Sequence, residues 1–344
     1  MSNNSSSQIQ YPVLISIPVG LLGFLANSIL LYIIVTSKRL KDPAYALIAN
    51  VIVCDCLSSL QFFLLFVAPF YLSSLSYQAG DIFCKLSLYS LYSTYNASVF
   101  SLTAISIYRY KAVVYTNISQ IRSRSQVLRN VTKATIIIWT VSFLLSLPAI
   151  FVATHHQISI GYCDIKYFHN YKYLTLILVT GMTVITYIAP LIIMIINYYR
   201  VFKRLTHIVP CDHQERKKDN EDHRKWSLMK MLIIVTSLFM LFTWPVFISV
   251  DILAIEQKTF YDVRVENYSV FIICFMTFPI STLISIFNPI LYTVFDKNIY
   301  REVQKKLTFS RCGIVHNNNS NLNSLDLVSA VPSIRPTPNK TFDE

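Results

Sequence analysis

An acidic residue lies at the centre of the second long apolar run of this sequence, where neighbouring groups must stabilise its charge. Asp55 is the one acid in the middle of any of the chain's seven long apolar runs. A charged side chain at the centre of a bilayer costs about 3 kcal/mol on insertion scales, so Asp55 must face the interior of a helix bundle. A buried polar network that fixes packing and a cation site would both satisfy it, and the two interpretations overlap.

Other apolar runs also contain polar side chains and prolines at helical depth. The polar residues include Asn27, Ser98, Ser285 and Asn288, and the prolines include Pro148, Pro190, Pro245 and Pro289. A proline removes a backbone hydrogen bond and bends its helix, which a bundle tolerates because neighbouring helices satisfy the freed carbonyl. The pattern predicts bent helices around a partly polar interior.

The composition favours the bilayer as the solvent of this chain. Of its 344 residues, 53% are hydrophobic and 14% are charged. A soluble domain of this length needs about 25% charged residues to cover its surface. The net charge of +12 could indicate a nucleic-acid partner, but that requires a contiguous basic patch on a soluble domain, which this sequence does not contain. We therefore expect membrane lipids and no nucleic acid as partners.

Seven apolar runs reach the roughly 20 residues that a helix needs to span the hydrocarbon core. They are Tyr11–Val35, Ala44–Leu72, Ile82–Ile107, Val131–Ala153, Tyr173–Tyr199, Leu228–Ile255 and Val270–Phe295. If the N-terminus is extracellular, 25 of the 30 Lys and Arg residues lie on the cytoplasmic side. The other five are Lys85, Lys166, Lys172, Lys258 and Arg264. This bias predicts an extracellular N-terminus and a cytoplasmic C-terminus. Asn3, Asn4 and Asn267 are then glycosylation candidates on the outer side.

Motifs along all seven runs resemble those of the rhodopsin-like (class A) G-protein-coupled receptor family. They are Gly23-Phe-Leu-Ala-Asn27, Asn50-Val-Ile-Val-Cys-Asp55, Cys84, Tyr108-Arg109-Tyr110, Trp139, Pro190 with Tyr198, and Asn288-Pro289-Ile-Leu-Tyr292. Each motif is weak alone, but their order and register together are specific. The resemblance implies an all-α membrane protein, a seven-transmembrane helix bundle with a short amphipathic cytoplasmic helix after the seventh.

The resemblance also implies an organisation and an activity. The expected organisation is an extracellular N-terminus (1–10), a receptor domain with its surface helix (11–308) and a disordered cytoplasmic tail (309–344). The expected activity is binding of an extracellular ligand at the plasma membrane, followed by activation of heterotrimeric G proteins as the sixth helix moves outward. The tail residues Ser320, Ser324, Ser329, Ser333, Thr337 and Thr341 are candidate phosphosites for arrestin. A plain solvated tail is the alternative.

Several sites follow from the resemblance alone. Cys84 is expected to be bonded to Cys163, and Cys312 is a candidate palmitoylation site. The family's sodium pocket corresponds to Asp55, Ser98, Ser285 and Asn288. Ile284 stands where many members have Asn, so one sodium ligand is missing. The residues expected to act in G-protein coupling and activation are Tyr108, Arg109, Tyr198, Lys225, Asn288, Pro289 and Tyr292.

The chain departs from the family pattern at the third and sixth helices. Tyr108 stands where an acid usually precedes Arg109, and Lys225 stands where the sixth helix can hold a second acid. This predicts raised basal signalling, unless Tyr108 hydrogen-bonds elsewhere and packing holds the resting state. Thr243 occupies the place of the family's Trp, and Trp244 adjoins the proline instead.

Candidate ligand-pocket residues come from helical spacing and from family register. Tyr89, Tyr92 and Asn96 recur at i, i+3 and i+7, which fits one cavity face or ordinary interhelical hydrogen bonding. Family register adds Phe247, Asp251, Phe278 and Thr282. Leu91 stands where amine receptors have Asp, and residues 270–294 contain no Lys, so neither a monoamine nor retinal is expected. A peptide or an amphipathic small molecule is the expected ligand.

A polytopic transporter or channel is the rival class. Such folds use helices broken by Gly and Pro in repeated halves, with charged sites at the midplane. Only 6 glycines, no visible repeat and one buried acid speak against it. An enzyme is not expected, because His207, Cys211, His213 and His223 lack the fixed spacing of metal ligands. We expect no cofactor other than a candidate allosteric sodium ion.

Overall fold

Seven long helices make up most of the part of the chain that the structure describes. The structure is a computed structural model, and it describes residues 10–41, 43–72, 76–114, 124–156, 162–167, 172–207 and 215–306. The long helices are α1 (Gln10–Thr36), α2 (Pro43–Leu72), α3 (Tyr77–Val114), α4 (Arg124–Ser146), α5 (Lys172–Thr183, Val184–Ile188 and Ala189–His207 in succession), α6 (Glu215–Glu256) and α7 (Tyr268–Phe295). Six of them contain a whole predicted apolar run, and α4 contains residues 131–146 of the run predicted over Val131–Ala153.

Six of these helices are long and apolar enough to cross a membrane, and α3 is the exception among the described helices. The prediction of spanning helices is therefore confirmed for α1, α2, α4, α5, α6 and α7. Helix α3 is less apolar because Ser, Thr and Asn side chains recur along it, and many of them are buried against other helices. A helix that is surrounded by protein needs fewer apolar residues than one that faces lipid.

Prolines mark irregularities in α4 and α5, as the sequence predicts. Helix α4 ends at Ser146, and after a turn at Leu147 a short helix, Pro148–Val152, begins with its proline in the first turn. In α5 the residues before Pro190 form a π-helical turn, Val184–Ile188. Proline cannot donate the regular backbone hydrogen bond, and a wider turn accommodates the loss.

Each long helix packs against at least two other long helices. Helix α2 lies between α1 and α3, and α7 lies between α1 and α6, while α3 also contacts α4 and α5. Helices α1 and α2 lie close together at Gly20, where an added Cβ would lie 2.8 Å from the backbone nitrogen of Phe63. Small residues permit such close approach between membrane helices, where packing rather than water drives association.

A hairpin and a short helix cover one end of the bundle, which we call the outer end. Strands β1 (Ala153–His156) and β2 (Tyr162–Ile165) pair antiparallel, with His155 opposite Cys163. The His155 ring lies against Gly80, where a Cβ would approach it to 2.6 Å. The short helix Phe260–Glu266 lies between α6 and α7, after Gln257 in the left-handed conformation (φ 58°).

The opposite end, which we call the inner end, carries the residues that follow α7. Asp296 accepts hydrogen bonds from the backbone nitrogens of Asn298 (2.8 Å) and Ile299 (3.2 Å), and residues 297–302 are helical. The Tyr45 hydroxyl of α2 donates to the Asp296 carboxylate at 3.0 Å. Residues 303–306, which belong to a second unit, are also helical.

Candidate functional site

A cavity of about 480 Å³ runs through the outer half of the bundle. Its walls come from α2 to α7, and most of the residues that line it are apolar or aromatic. Asp164 and Arg264 line it near the outer end, and Asp55, Ser98 and Ser285 line its deepest part. A mostly apolar cavity with a few polar groups is the usual form of a small-molecule binding site.

The cavity contains most of the predicted ligand-pocket residues. Tyr92, Phe247, Phe278 and Thr282 line it directly. Asp251 accepts a hydrogen bond of 3.2 Å from the hydroxyl of Thr183, which lines the cavity wall on α5. These five residues are brought together from α3, α6 and α7, as the family register predicts.

Tyr89 and Asn96 do not follow Tyr92 into the cavity. The Tyr89 ring stacks on Phe143 of α4, with ring centroids 6.3 Å apart. The Asn96 amide donates a 3.1 Å hydrogen bond to the hydroxyl of Ser146, also on α4. The prediction of a shared cavity face is corrected for these two residues, because α4 supplies partners for both. Interhelical contact was the alternative explanation of their spacing.

Asp55 lies at the floor of the cavity and is buried. One of its oxygens accepts a 2.7 Å hydrogen bond from the side-chain amide of Asn288 on α7, and the other lies 3.5 Å from the Ser98 hydroxyl on α3. On α1, the Asn27 amide donates to the Ser285 carbonyl at 2.6 Å. Polar contacts therefore join α1, α2, α3 and α7 at this depth.

The outer loops close over the cavity around a second buried carboxylate. Cys84 at the start of α3 is bonded to Cys163 in β2, so the predicted disulfide is confirmed. The adjacent Asp164 accepts hydrogen bonds from the backbone nitrogens of Ile165 (2.7 Å), Phe260 (3.1 Å) and Tyr261 (2.9 Å). The hairpin is thus tied to α3 by a covalent bond and to the short helix by a buried cap.

Tyr167 gives the outer loop a further attachment to α6. Its hydroxyl donates a 3.4 Å hydrogen bond to the carbonyl of Val250. Burial raises the pKa of this hydroxyl, so Tyr167 remains a donor at physiological pH. Together with the Asp164 cap, this contact holds the hairpin against the outer ends of α6 and the short helix.

Comparison with known proteins identifies the family that has this arrangement. Residues 26–292 match the family model described as 7 transmembrane receptor (rhodopsin family). The chain belongs to the rhodopsin family of receptors. It is therefore a receptor rather than an enzyme, and membership implies a multi-pass plasma-membrane protein with an extracellular ligand and a G-protein partner.

Relatives of this receptor include angiotensin receptors from several vertebrates. It is 27% identical to the type-1 angiotensin II receptor of Meleagris gallopavo over 302 residues, which cover 84% of this chain and 78% of the relative. It is 28% identical to the Homo sapiens type-1 angiotensin II receptor over 305 residues, covering 85% of this chain and 79% of the relative. It is similar to type-1 angiotensin II receptor A of Xenopus laevis at 26% identity over 313 residues, covering 86% and 80%.

Apart from Asn288 and Pro289, which lie near the floor of the cavity, the predicted coupling residues of the receptor lie towards its inner end. Arg109 is half-buried in the last turns of α3, and Tyr108 and Arg109 both make further interactions there. The Tyr198 hydroxyl of α5 lies 3.1 Å from the Thr236 hydroxyl of α6. Tyr292 of α7 is fully buried. Lys225 lies in α6, but its side chain is outside the described part, and raised basal signalling stays a prediction.

Two more contacts hold α5 and α6 at the inner end. The Asn197 amide of α5 donates to the Ser106 hydroxyl of α3 at 3.1 Å. The Ser227 hydroxyl of α6 donates to the Phe295 carbonyl at the end of α7 at 3.0 Å. With the Tyr198–Thr236 contact, these bonds connect α6 to both of its neighbours.

The donor set around Asp55 fits a small hard cation, which prefers oxygen ligands. Asp55 and Ser98 supply a carboxylate and a hydroxyl, and the buried Asn288 Oδ1 has no hydrogen-bond partner among the described residues. The buried Ser59 hydroxyl, one helical turn after Asp55, is also without a described partner.

The sixth helix presents Thr243 and Trp244 in different directions. Thr243 is buried, lines the cavity and donates to the Phe239 carbonyl at 2.8 Å. Trp244 is 41% exposed on the outside of the bundle. Tyr95 of α3 instead packs its ring against Phe239 (5.6 Å between centroids) and Phe247 (5.5 Å). An aromatic residue on α3 therefore fills the centre of the bundle beside α6.

The remaining predicted modification sites are located as follows. Asn267 is exposed, and its side chain caps α7 by accepting hydrogen bonds from the backbone nitrogens of Ser269 and Val270. Asn3, Asn4, Cys312 and the candidate phosphosites of the tail lie outside the described residues. Glycosylation, palmitoylation and arrestin recruitment therefore stay predictions.

Proposed function

We propose that this receptor binds an extracellular ligand in its cavity and activates heterotrimeric G proteins as the inner end of α6 moves outward. In this proposal the N-terminus is extracellular and the C-terminus is cytoplasmic, as the distribution of Lys and Arg favours. The outer end then faces the ligand and the inner end faces the G protein. In this proposal α3 also spans the membrane, because many of its Ser, Thr and Asn side chains are buried inside the bundle and do not face lipid.

The observation that carries the proposal is the continuity between the cavity and α7. The cavity reaches from the hairpin to Asp55. The Asp55 carboxylate accepts a hydrogen bond from Asn288, the residue before Pro289. A ligand that changes the arrangement of the cavity can therefore bias the position of α7 and its proline. Such coupling requires only that the ligand bind one arrangement of the bundle better than another.

The contacts at the inner end describe the resting arrangement of α6. Tyr198–Thr236 joins α6 to α5, and Ser227–Phe295 joins it to α7. Outward movement of α6 must break both contacts and would expose Arg109 to the G protein. By the family resemblance, Tyr198 and Tyr292 then steady Arg109. Each broken hydrogen bond costs about 0.5–1.5 kcal/mol, which a ligand can readily supply.

The ligand belongs to the class of peptides or amphipathic small molecules. The cavity walls combine aromatic surface with hydroxyl groups, which suits a ligand with an apolar body and few polar groups. The vertebrate relatives are named as receptors for angiotensin II. At 26–28% identity that ligand is not carried over to this chain, and the chemistry of the cavity is the better guide.

A sodium ion is part of the proposal as an allosteric ligand. Asp55, Ser98 and Asn288 would hold it with oxygen atoms, and Ser285 lies beside them on α7. The positive charge would offset the carboxylate in the bundle interior, where an unpaired charge is costly. Because these residues join α2, α3 and α7, sodium would stabilise the resting arrangement.

Reconstitution of the purified receptor separates this proposal from the rival class. In lipid vesicles with a panel of heterotrimeric G proteins, we expect guanine-nucleotide exchange on at least one of them, first without ligand and then with a peptide library. A transporter or channel would instead pass solutes across the vesicle membrane with no G protein present. Solute flux without any nucleotide exchange would reject the proposal.

A further inference from the structure

The charged residues at the outer end are nearly balanced in number but not in pairing. Lys85 pairs with Asp81 at 2.7 Å, and Lys258 pairs with Glu256 at 3.2 Å and with Glu266 at 2.7 Å. Asp164 caps the short helix, and Asp262 accepts from the Thr259 backbone nitrogen at 2.8 Å. Most of the outer acids are therefore occupied by internal partners.

Arg264 is the outer cation that lines the cavity. It lies in the last turn of the short helix, is half-buried, and has no carboxylate within 4.0 Å among the described residues. The other cavity-lining charges in the described part are Asp164, which is committed to its cap, and Asp55, at the far end. Arg264 is thus the one positive charge that the described cavity wall offers to a ligand.

An aromatic cluster that we define as Phe66, Phe260, Phe271, Phe275 and Phe278 lines the same part of the cavity. Its rings form a chain of contacts, with centroids 5.7 Å apart for Phe66–Phe275, 5.3 Å for Phe271–Phe275 and 5.6 Å for Phe260–Phe278. Phe260 belongs to the short helix that carries Arg264. A cation and an extended apolar surface are therefore presented by neighbouring parts of one wall.

The short helix that carries Arg264 is held in place before any ligand binds. Asp164 caps its first turn from β2, and Thr259 and Asp262 form a capping box within it. Phe260 and Val263 on the same helix are buried in a core with Ile165 and Tyr167 of the outer loop. A preorganised guanidinium loses less entropy on binding an anion than a mobile one does.

We propose that Arg264 binds a carboxylate of the ligand while the apolar body of the ligand packs on the aromatic cluster. The inference rests on the proposed function, since it uses the same cavity, and it narrows the ligand class to amphipathic carboxylic acids. A guanidinium matches a carboxylate with two parallel hydrogen bonds. Two sources share this chemistry, a free aliphatic acid and the carboxyl end of a peptide.

Asp251 is the charged group that would favour a ligand with a positive charge instead of a carboxylate. It lies on α6 and reaches the cavity wall through Thr183. If a cationic group of the ligand were the main anchor, removal of the Asp251 charge would weaken binding. With a carboxylate anchored on Arg264, the same change strengthens binding, because one repelling charge is lost.

The test measures binding to the full-length receptor in lipid nanodiscs through its thermal unfolding midpoint. The probes are decanoate with its methyl ester, and N-acetyl-Phe-Phe with either a free or an amidated carboxyl end. The variants are Arg264→Gln, Arg264→Lys and Asp251→Asn, with Lys258→Gln as the matched control from the same loop. A ligand that binds only the folded state raises the midpoint with its concentration, so each titration yields an affinity.

We expect an acid probe to raise the midpoint and its neutral counterpart to do so much less. Arg264→Gln should weaken binding of the acid by roughly tenfold or more, and Arg264→Lys by less, since a point charge replaces the planar group. Lys258→Gln should bind the acid as well as the unaltered chain, and Asp251→Asn should bind it more tightly, because one repelling charge is lost. The unliganded midpoints of the variants show whether each one is folded.

Three results would overturn the inference: equal stabilisation by acid and neutral probes, an acid preference that survives Arg264→Gln, or no stabilisation by either acid. If decanoate alone is active, the source is a free aliphatic acid; if the peptide acid alone is active, it is a peptide terminus. The readout involves no G protein, so failure here is distinguishable from failure of the proposed function in the exchange assay.

Discussion

The side-chain amide of Asn288 on α7 donates a 2.7 Å hydrogen bond to the carboxylate of Asp55 on α2, across 233 residues of sequence. Both residues are buried at the floor of the cavity, and Ser98 of α3 contacts the other carboxylate oxygen. One ionisable group therefore connects three helices between the ligand end and the G-protein end. We therefore expect a substitution of Asp55 to affect both ligand binding and G-protein activation.

Asp55→Asn should abolish the response of the receptor to sodium. The amide keeps the shape of the carboxylate but removes the charge that would bind the ion. At a sodium concentration ten times the dissociation constant, the unaltered receptor gains about 1.4 kcal/mol, a rise of about 2 °C in the unfolding midpoint. The measurement compares midpoints in sodium chloride and in choline chloride at equal ionic strength.

Ser58→Ala provides the control for that comparison, because the one hydrogen bond that the Ser58 hydroxyl makes to a described residue is to the carbonyl of Asp55 in its own helix, at 3.2 Å. It should keep the sodium response. An equal sodium effect in Asp55→Asn and the unaltered receptor would show that the ion acts elsewhere.

Thr236→Val should raise ligand-free signalling. The valine has the same shape but cannot bond to Tyr198, whose hydroxyl lies 3.1 Å from that of Thr236. Loss of about 0.5–1.5 kcal/mol from the resting arrangement shifts the active population roughly two- to tenfold. The readout is nucleotide exchange without ligand, normalised to receptor at the cell surface.

An exposed threonine that bonds within its own helix serves as the control for Thr236. Thr132 of α4 is exposed and bonds to the Leu128 carbonyl of its own helix at 3.1 Å. Thr132→Val should leave basal exchange unchanged. Basal exchange that falls in Thr236→Val would mean that the Tyr198 contact belongs to the active arrangement instead.

Gly20→Ala and Gly181→Ala should change stability in opposite directions. A Cβ at residue 20 would lie 2.8 Å and 2.9 Å from backbone atoms of Phe63, which cannot move without displacing α2. Such overpacking costs about 1–3 kcal/mol. At Gly181 nothing lies within 4 Å of the added atom, so alanine should stabilise α5 by about 0.5–1 kcal/mol. Thermal midpoints of the two variants decide this, and a stable Gly20→Ala receptor would refute the α1–α2 packing.

Asp164→Ala should loosen the outer loops. The substitution leaves three backbone nitrogens without their acceptor, and a buried unsatisfied donor costs about 1–3 kcal/mol. Asp81→Ala is the control, since its surface pair with Lys85 contributes about 0–1 kcal/mol. We expect a clear fall of the unfolding midpoint for Asp164→Ala and little for Asp81→Ala. Equal effects would mean that the cap contributes no more than a surface pair.

The fold was largely predictable because the bilayer imposes a simple rule on sequence. A spanning helix needs about 20 apolar residues, and six of the seven predicted runs correspond to helices that meet this criterion. The run in α3 was weaker evidence, because its neighbours are protein rather than lipid. The outer hairpin was not predicted, since it depends on contacts such as His155 against Gly80 that no local pattern encodes.

The candidate site was predictable where a family motif or a buried charge fixes the residue, and less so elsewhere. Asp55 and Asn288 meet as expected. Helical spacing placed Asn96 on the same face as Tyr92, but α4 offers it the Ser146 hydroxyl. Spacing gives an angle around the helix and cannot say which neighbour occupies that angle.

Arg264 was missed because a count of charges says nothing about their partners. The outer acids and bases balance in number, yet the structure pairs Lys258 with two glutamates and leaves Arg264 at the cavity wall. The sequence did indicate the start of the helix that carries Arg264, since Thr259 and Asp262 have the spacing of a capping box.

The central claim is that this chain activates a G protein through the inner end of its bundle, and nucleotide exchange by Arg109→Ala tests it most directly. Arg129→Ala, which removes an exposed arginine of α4, is the control at matched surface expression. We predict that a partner G protein that exchanges nucleotide with the unaltered receptor loses at least about 90% of that exchange with Arg109→Ala, a change of roughly 1.4 kcal/mol, and none with Arg129→Ala. Exchange that persists undiminished on every partner in Arg109→Ala would contradict the account.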